Sequence, residues 1–298
     1  MPKLLVPDNL EWDLTGLPVE VARVPRGRVP SEHEDAEGLI AWGISRAALA
    51  ESVPHLPRLR WVQTLSAGVD HLTGLDLPGS VTICNGKGLH DAPVAEHTVA
   101  LLLAGVRGLH RLRDAQREGR WGQGDYWARS RAESSGERSE LRTLEDARVL
   151  VLGMGAIGVA IARALQPLGA RVEGVAQAAG EREGFTVHAL GALDSLLPAT
   201  DALVMVLPDT PATRGILSRE RIALLPRHAW VVNVGRGNAI DEEALADAIE
   251  ARSLGGAALD VFTREPLEPE SRLWQLPDVI VSPHVAGGEA AGSRYSTP

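Results

Sequence analysis

Three side chains near the ends of apolar runs have the chemistry of proton transfer and anion binding. His284 follows the run at 279–282, and histidine is the side chain that exchanges a proton near neutral pH. Glu265 follows the run at 256–262, and a carboxylate beside a histidine favours its protonated form. Arg236 follows the run at 229–235, and its guanidinium is a rigid fork that suits a carboxylate. Taken singly, each residue also has an ordinary structural interpretation.

The elements that must position these side chains follow from the hydrophobic pattern. Apolar runs alternate with helical patterns, which predicts an α/β fold with parallel sheets and crossover helices. Strands are predicted from KLLVPD, VEVARV, GLIAWG, RWVQTL and VTICNG, and then from ARVLVLG, ARVEGVA, DALVMVL, AWVVNVG, GAALDVF and DVIVS. Helices are predicted over RAALAESV, residues 92–117, AIGVAIARALQPL and DEEALADAIEAR. Open α/β sheets bind ligands beyond the carboxyl ends of their strands, where all three side chains lie.

The size and charge of the chain restrict its class. A length of 298 residues predicts two domains. The net charge of −9 argues against a nucleic-acid partner. The start MPKLLVPDNL lacks the apolar segment of a signal peptide, and ALLLAGV at 100–106 is too short to span a bilayer, so we expect a cytoplasmic protein. Cys84, the only cysteine, excludes an internal disulfide or a cysteine zinc cluster and is expected in a buried strand; no metal site is predicted.

A glycine motif follows the strand predicted at 147–152. The residues Gly153-Met154-Gly155-Ala156-Ile157-Gly158 fit the pattern G-x-G-x-x-G and open a helix. In this context the first glycine permits a tight turn, the second admits a pyrophosphate, and the third allows close packing of helix and strand. Free N–H groups at the helix N-terminus would bind the phosphates. The motif predicts a dinucleotide site.

The residues that would discriminate NAD from NADP leave both open. The strand ARVEGVA should end in an acidic residue that binds the adenine ribose of NAD, but it ends in Ala176-Gln177. Glu173 lies in mid-strand and faces the other side of the sheet. No arginine occupies the position that attracts a 2′-phosphate, and Arg182 is a distant candidate.

Four further stretches, in order along the chain, carry a family resemblance. They are TLSAGVDHL at 64–72, VVNVGRGNAIDEEAL at 231–245, ALDVFTREPL at 258–267 and SPHVAGG at 282–288. Together with the glycine motif they resemble the D-isomer-specific 2-hydroxyacid dehydrogenases, which include glyoxylate/hydroxypyruvate reductases and phosphoglycerate dehydrogenases. The resemblance covers most of the chain.

The resemblance implies the architecture and the reaction. It implies a flavodoxin-like substrate domain over 1–91 and 283–298 and a Rossmann dinucleotide-binding domain over 92–282, both doubly wound. It implies an NAD(P)-dependent enzyme that reduces a small 2-keto acid to a D-2-hydroxy acid. It also implies a homodimer formed through the helix at 92–108 and the polar arm near 118–140. Relatives usually continue into a terminal helix, whereas GGEAAGSRYSTP shows no amphipathic pattern, so no such helix is expected there.

The resemblance also implies the role of individual residues. Arg236 would hold the substrate carboxylate and keto oxygen, His284 would be the acid/base, and Glu265 would orient His284 and raise its pKa. The turn Ala67-Gly68-Val69 would bind the substrate carboxylate through backbone N–H groups. Asp260 would bind the nicotinamide carboxamide. Cofactor contacts are expected at Thr98, Gly153, Gly155, Ala156, Ile157, Gly158, Gln177, Leu207, Pro208, Thr213, Val234, Asp260 and His284. His97 and His71 belong to the pattern but are given no chemistry.

Two alternatives remain beside the reductase. A dinucleotide-responsive regulatory protein could use the same fold, but a pure sensor has no need of a proton relay. An enzyme that oxidises formate or phosphite is a second alternative, although glutamine is typical of the formate type at the position of Glu265. The identity of the keto acid is left open.

Overall fold

The computed structural model describes residues 1–25, 29–124, 126–127 and 141–288. The chain divides into two compact units, Met1–Asp91 with Gly287 and Gly288, and Ala92–Ala286. The second unit includes residues 283–286, which the sequence assigns to the first domain, and Ala286 is buried in its core. Most of the predicted arm, at 128–140, and the tail from 289 onward lie outside the described residues. The assignment of substrate and dinucleotide to the two units stays a prediction.

The first unit is built on a five-stranded parallel sheet. Its strands are β1 (Lys3–Pro7), β2 (Glu20–Val24), β3 (Gly38–Ala41), β4 (Trp61–Thr64) and β5 (Thr82–Cys84). Their order is β2-β1-β3-β4-β5, and all neighbours pair in parallel. This is the flavodoxin-like order, so the predicted fold of this unit is confirmed. Helix α1 (Arg46–Ser52) is capped by Ser45, whose Oγ accepts the N–H of Ala48 at 3.2 Å.

Burial in the first unit follows the position of each strand in the sheet. The central strands β1 and β3 are buried almost throughout, because a parallel sheet is covered on both faces. The edge strand β5 is exposed at all its residues, including Cys84. The prediction of a buried Cys84 is therefore wrong, because β5 pairs with β4 on one side only.

The second unit contains an eight-stranded sheet. Its strands are β6 (Arg148–Leu152), β7 (Arg171–Ala176), β8 (Gly180–Arg182), β9 (Phe185–Ala189), β10 (Ala202–Met205), β11 (Trp230–Asn233), β12 (Gly256–Leu259) and β13 (Val279–Val281). The order is β13-β12-β11-β10-β6-β7-β9-β8, parallel except for β8 against β9. The run β9-β7-β6-β10-β11-β12 reproduces the Rossmann order, whose ligand crevice lies where the strand order reverses, between β6 and β10. The predicted Rossmann domain is confirmed.

The structure divides one of the predicted helices into two. Beyond α1, the described residues include the α-helices α2 (Asp91–Val106), α3 (Leu109–Arg117), α4 (Ala156–Leu165), α5 (Leu193–Leu196), α6 (Arg219–Ile222) and α7 (Glu242–Glu250). The prediction of one helix over 92–117 is wrong, because Gly108 breaks it with a φ of 62°, a conformation that glycine adopts without a Cβ penalty. In the described part of the chain, no helix combines the length and apolarity needed to cross a membrane.

The hairpin of β8 and β9 is not predicted from the sequence. Arg182 pairs with Phe185, and the two residues between them, Glu183 and Gly184, have φ values of 53° and 87°. Positive φ at both turn residues is the geometry that joins two antiparallel strands with the correct twist. Glutamate rarely adopts it, which conceals the turn in the sequence. Strand β8 thus lies in the connection between the parallel neighbours β7 and β9, where a crossover helix is expected.

Candidate active site

The glycine motif forms the turn between β6 and α4. Gly153 has a φ of 113°, and a Cβ there would lie 2.6 Å from the carbonyl oxygen of Val206. A Cβ on Gly158 would lie 2.1 Å from the carbonyl oxygen of Gly153. A Cβ on Gly155 would meet open space. The first and third glycines are thus required by packing, whereas the second leaves room at the N-terminus of α4, where backbone N–H groups can bind a pyrophosphate.

The remaining residues predicted for the cofactor differ in exposure. Ala156 and Ile157 lie in the first turn of α4, half-buried, and Gln177 is exposed immediately after β7. Leu207 is half-buried and Pro208 is exposed. Both lie in the segment after β10, next to the point between β6 and β10 where the strand order reverses. These positions line the edge of the sheet where a dinucleotide would bind.

Three other predicted cofactor residues use their polar groups within the protein. Oγ1 of Thr213 donates to the carbonyl oxygen of Pro208 at 2.6 Å and closes the loop after β10. Val234 is buried, and its N–H donates to the carbonyl oxygen of Met205 at 3.0 Å. Thr98 is fully buried in α2, where its hydroxyl donates to the carbonyl oxygen of Val94 at 2.7 Å. Their cofactor contacts stay predictions.

Arg236 lies in a turn that two glycines allow to pack tightly. A Cβ on Gly235 would lie 2.6 Å from the backbone nitrogen of Leu207, and one on Gly237 would overlap the backbone of Phe262 at 1.9 Å. Asn233, at the end of β11, donates from Nδ2 to the carbonyl oxygen of Arg236 at 3.0 Å and accepts the N–H of Gly235 at 3.0 Å. The turn therefore fixes the backbone from which the guanidinium projects.

His284 and Glu265 form a direct pair. Nδ1 of His284 lies 2.6 Å from Oε2 of Glu265, and Oε1 of Glu265 accepts the N–H of Phe262 at 3.0 Å. About half of the His284 side chain is exposed, 49%, against 34% for Glu265. The carboxylate is thus anchored by the backbone, while the imidazole remains accessible to a reactant.

The charges around the pair shift both pKa values. The hydrogen bond with Glu265 raises the pKa of His284, although burial and the charge of Arg236 oppose the rise. Burial acts to raise the pKa of Glu265, but the hydrogen bonds from His284 and Phe262, with the charge of Arg236, hold that pKa below its usual value. The protonated imidazole beside an ionised carboxylate is therefore favoured, and Arg236 is close enough to act on both groups.

Asp260 is fully buried at the end of β12. Its Oδ1 accepts the N–H of Val285 at 3.0 Å, and its Oδ2 accepts the N–H of Ala286 at 2.9 Å. The hydroxyl of Ser282 donates to Oδ1, and Nε2 of His97 lies 3.0 Å from that hydroxyl oxygen. The predicted contact with a nicotinamide carboxamide stays a prediction.

The predicted substrate turn lies in the first unit, after β4. The carbonyl oxygens of this turn are held by the loop after β5, since Gly86 donates to Ser66 at 2.8 Å and Nδ2 of Asn85 donates to Ala67 at 3.0 Å. Residues 67–69 then lead into a 3-10 helix. The role of Ala67, Gly68 and Val69 in substrate binding stays a prediction.

Sequence reasoning missed three residues that support the site. Asn233 holds the arginine turn, and its position at the end of β11 was the available signal. Ser282 precedes Pro283 in the stretch that carries His284, and its residue type gives no signal of its own. For His97 the sequence suggests a packing or interdomain role and no chemistry, because nothing in the sequence shows that α2 brings it to Ser282 and Asp260.

Comparison with known proteins decides the family. The sequence model of the D-isomer specific 2-hydroxyacid dehydrogenase, NAD binding domain, matches residues 99–286. The chain belongs to the D-isomer specific 2-hydroxyacid dehydrogenase family. It is therefore an NAD(P)-dependent oxidoreductase, which confirms the resemblance seen in the motifs.

Individual relatives agree with this assignment. Glyoxylate/hydroxypyruvate reductase B of Pectobacterium atrosepticum is 32% identical over 87% of this chain and 78% of its own. A D-isomer specific 2-hydroxyacid dehydrogenase family protein from Aeromonas salmonicida superposes with a TM-score of 0.81, at 30% identity, over 99% of this chain and 91% of its own. An NADPH-dependent glyoxylate/hydroxypyruvate reductase from Sinorhizobium meliloti, in complex with NADP and malonate, gives a TM-score of 0.75 at 28% identity, over 99% and 91%.

Proposed function

We propose that this chain reduces a small 2-keto acid of the glyoxylate or hydroxypyruvate type to a D-2-hydroxy acid, with NADPH as reductant. The observation that carries the proposal is the 2.6 Å hydrogen bond between His284 and Glu265. A pair of this kind keeps a proton donor charged near neutral pH, which the reduction of a carbonyl requires. A protein that only sensed a dinucleotide would not need it.

His284, Arg236 and Glu265 each have a separate role in the proposed reaction. When bound, reduced nicotinamide supplies the hydride that forms the new C–H bond at C2 of the keto acid. His284 donates the proton on Nε2 to the carbonyl oxygen, because its other ring nitrogen, Nδ1, is hydrogen-bonded to Glu265. Arg236 binds the carboxylate of the substrate and stabilises the negative charge that develops on the oxygen. Glu265 stabilises the imidazolium before the transfer and orients the ring during it.

Two features of this chain and one of its relatives support NADPH rather than NADH. The strand β7 ends at Ala176, followed by Gln177, so no carboxylate there would repel a 2′-phosphate. Arg182, on β8, donates to the carbonyl oxygen of Met154 in the glycine loop, which supports a cation near the adenosine half of the cofactor. The reductase of Sinorhizobium meliloti is NADPH-dependent by its description.

The test is oxidation of NADPH and of NADH with glyoxylate, hydroxypyruvate, pyruvate and phenylpyruvate. We expect turnover with NADPH and the smaller keto acids. In His284→Ala, kcat should fall roughly 10²- to 10⁴-fold, the usual contribution of a general acid, with NADPH affinity nearly unchanged. Binding of NADPH without turnover of any keto acid would contradict the proposal and favour the regulatory alternative.

We infer further that the chain forms a homodimer through α2, α3 and the segment that follows them. Leu109, Trp121 and Trp127 are 52%, 86% and 52% exposed, and apolar exposure of this kind is typical of an interaction surface. A cavity of about 370 Å³ lies in the same region, bordered by Val106, Leu112, Tyr126, Leu141 and Trp230. A cytoplasmic location and the absence of a nucleic-acid partner stay predictions of the sequence.

Light scattering after gel filtration tests the dimer. We expect the wild-type chain at twice the monomer mass and Trp121→Glu at the monomer mass, because a buried charge would disrupt the interface. Leu168→Glu is the control, since Leu168 is another exposed apolar residue, at 39%, and lies after α4, outside the proposed interface. A monomeric wild-type protein would contradict the inference.

A further inference from the structure

We propose that Asp209 is a positioning residue for Arg236, because it holds Asn238 and so fixes the arginine turn, residues 235–239, against the loop that follows β10. The proposal rests on the function proposed above, in which Arg236 binds the carboxylate of the keto acid. It assigns Asp209 to substrate binding, although the residue directly follows Pro208, for which the family resemblance implies a contact with the cofactor.

The loop after β10, residues 206–217, gives Asp209 a fixed backbone. Oγ1 of Thr213 donates to the carbonyl oxygen of Pro208 at 2.6 Å and accepts the N–H of Thr210 at 2.9 Å. The N–H of Thr213 donates to the carbonyl oxygen of Thr210 at 3.0 Å. Asp209 lies between the two residues that Thr213 binds, so these hydrogen bonds set the place of Asp209 in the loop.

The same loop packs closely against the arginine turn. A Cβ on Gly235 would lie 2.6 Å from a backbone nitrogen of the loop. The N–H of Gly215 donates to the carbonyl oxygen of Asn238 at 2.8 Å, and the N–H of Leu217 donates to the carbonyl oxygen of Ala239 at 2.9 Å. The loop and the turn are therefore neighbours whose backbones are hydrogen-bonded to each other.

The side chain of Asp209 adds a polar link between the loop and the turn. Its Oδ1 accepts from Nε of Arg214 at 2.8 Å, and its Oδ2 accepts from Nη2 of Arg214 at 3.1 Å. The side chain of Asn238 is hydrogen-bonded to the same carboxylate. Because Arg214 belongs to the loop and Asn238 belongs to the turn, the carboxylate of Asp209 joins the two segments.

The neighbours of Asp209 stabilise its negative charge. The hydrogen bond from Arg214 has the largest effect and lowers the pKa of Asp209; burial opposes it, while the hydrogen bond from Asn238 and the charge of Arg236 lower the pKa further. The pKa of this carboxyl is thus held below its usual range, and the carboxylate is the form present at neutral pH. Its bond to Asn238 is therefore charge-assisted, and bonds of that kind are stronger than neutral ones.

The amide of Asn238 has a single orientation in this arrangement. A carboxylate only accepts hydrogen bonds, so Asn238 presents Nδ2 to Asp209. Its Oδ1 is buried and has no hydrogen-bond partner among the described residues, which is unfavourable unless the bond to Asp209 offsets it. Asn233 binds the carbonyl oxygen of Arg236 at 3.0 Å, and Asn238 follows two residues after the arginine. Asp209 thus completes the support of the turn on its second side.

The experiment measures anion binding in the complex with NADPH. Oxalate is the probe, because it is a small planar carboxylate like glyoxylate but is not reduced by hydride. Its Kd is followed through the fluorescence of bound NADPH. In Asp209→Ala we expect the Kd for oxalate and the KM for glyoxylate to rise roughly tenfold, as for a displaced binding group. The Kd for NADPH should stay within about twofold of wild type, because no contact with the cofactor is removed.

A double-mutant cycle with Arg236→Ala distinguishes positioning from a general structural effect. If Asp209 acts through Arg236, then Asp209→Ala in the Arg236→Ala background should change the Kd for oxalate by less than about twofold, because the positioned group is gone. Equal weakening of oxalate binding in both backgrounds would overturn the proposal. A Kd for NADPH raised roughly tenfold, with oxalate binding unchanged, would overturn it in favour of a cofactor role.

Milder variants keep the test decisive where Asp209→Ala fails to fold. Asn238→Ala should weaken oxalate binding as Asp209→Ala does, and Asp209→Asn should weaken it less, because its amide oxygen can still accept from Asn238. Asp146→Asn is the matched control, since Asp146 pairs with Arg171 at 2.6 Å beside the N-terminal ends of β6 and β7, at the opposite edge of the sheet. It should leave the Kd for oxalate unchanged. Wild-type affinity for oxalate in Asn238→Ala would contradict the proposal.

The outcomes also separate this proposal from the function on which it rests. Oxalate binding needs no turnover, so a wild-type protein that binds oxalate through Arg236 but reduces no keto acid would refute the proposed function, and the cycle would still decide the role of Asp209. A wild-type complex that binds oxalate no more tightly than Arg236→Ala would overturn the positioning role, since Arg236 would then bind no carboxylate.

Discussion

Nδ1 of His284 lies 2.6 Å from Oε2 of Glu265, and the two residues come from segments that follow neighbouring strands, β13 and β12. The pair raises the pKa of the imidazole and lowers that of the carboxyl. Because reduction consumes a proton, the rate should fall as the pH rises through the pKa of His284. The direction of the pH dependence thus follows from the role of His284 as the acid, and the contact with Glu265 moves the fall in rate to higher pH.

Replacement of Glu265 by glutamine tests that contact. The amide removes the negative charge that favours the imidazolium, so the pKa of His284 should fall. The alkaline limb of kcat/KM should move to lower pH, and kcat at neutral pH should drop roughly 10- to 100-fold, within the range of a general acid's contribution. The measurement is a pH–rate profile with saturating NADPH. A limb at the wild-type pH would show that Glu265 does not control the proton donor.

Arg236→Ala should damage substrate binding and turnover together. The guanidinium is proposed to bind the substrate carboxylate and to stabilise charge on the keto oxygen, and loss of such a charged pair costs about 2–5 kcal/mol. We expect kcat/KM for glyoxylate to fall at least roughly 30-fold, with the Kd for NADPH unchanged. Arg264→Ala is the control, since that exposed arginine pairs with the exposed Glu268 at 2.6 Å. A defect confined to NADPH binding would contradict the role.

The glycine loop offers two substitutions with different expected effects. Gly155→Ala meets open space, so it should fold with a near-wild-type Tm yet weaken NADPH binding by crowding the pyrophosphate. Gly158→Ala would place a Cβ 2.1 Å from the carbonyl oxygen of Gly153, and such overpacking costs about 1–3 kcal/mol. Thermal unfolding and fluorescence titration measure both. Equal loss of Tm in the two variants would refute this division of roles.

Arg182→Ala tests the preference for NADPH. A charged hydrogen bond contributes about 1.5–3 kcal/mol, so the Kd for NADPH should rise roughly tenfold or more, while that for NADH changes little. Competition by 2′-AMP and AMP should show the same difference. Arg163→Ala is the control, because Arg163 is exposed and pairs with Glu183 of the same hairpin. Equal weakening of both cofactors would mean that Arg182 serves only to hold the carbonyl of Met154.

The sequence determined the elements whose signals are local. Buried parallel strands are continuous apolar runs, so β6, β10 and β11 were recognisable, and the glycines of the phosphate loop are demanded by backbone geometry within a few residues. The types of the reactive residues were visible in the same way, since only a few side chains transfer protons or bind carboxylates near neutral pH.

Only the tertiary structure decided which residues meet. Glu265 reaches His284, and His97 reaches Asp260, because strand order and helix packing bring distant segments together, and no periodicity encodes such contacts. The exposure of Cys84 depends on β5 lying at the edge of its sheet, and the break at Gly108 and the turn at Glu183 depend on positive φ angles that a residue type permits without requiring. Local sequence thus determines the strands and helices and the types of reactive residue. Tertiary packing determines which of those residues come into contact.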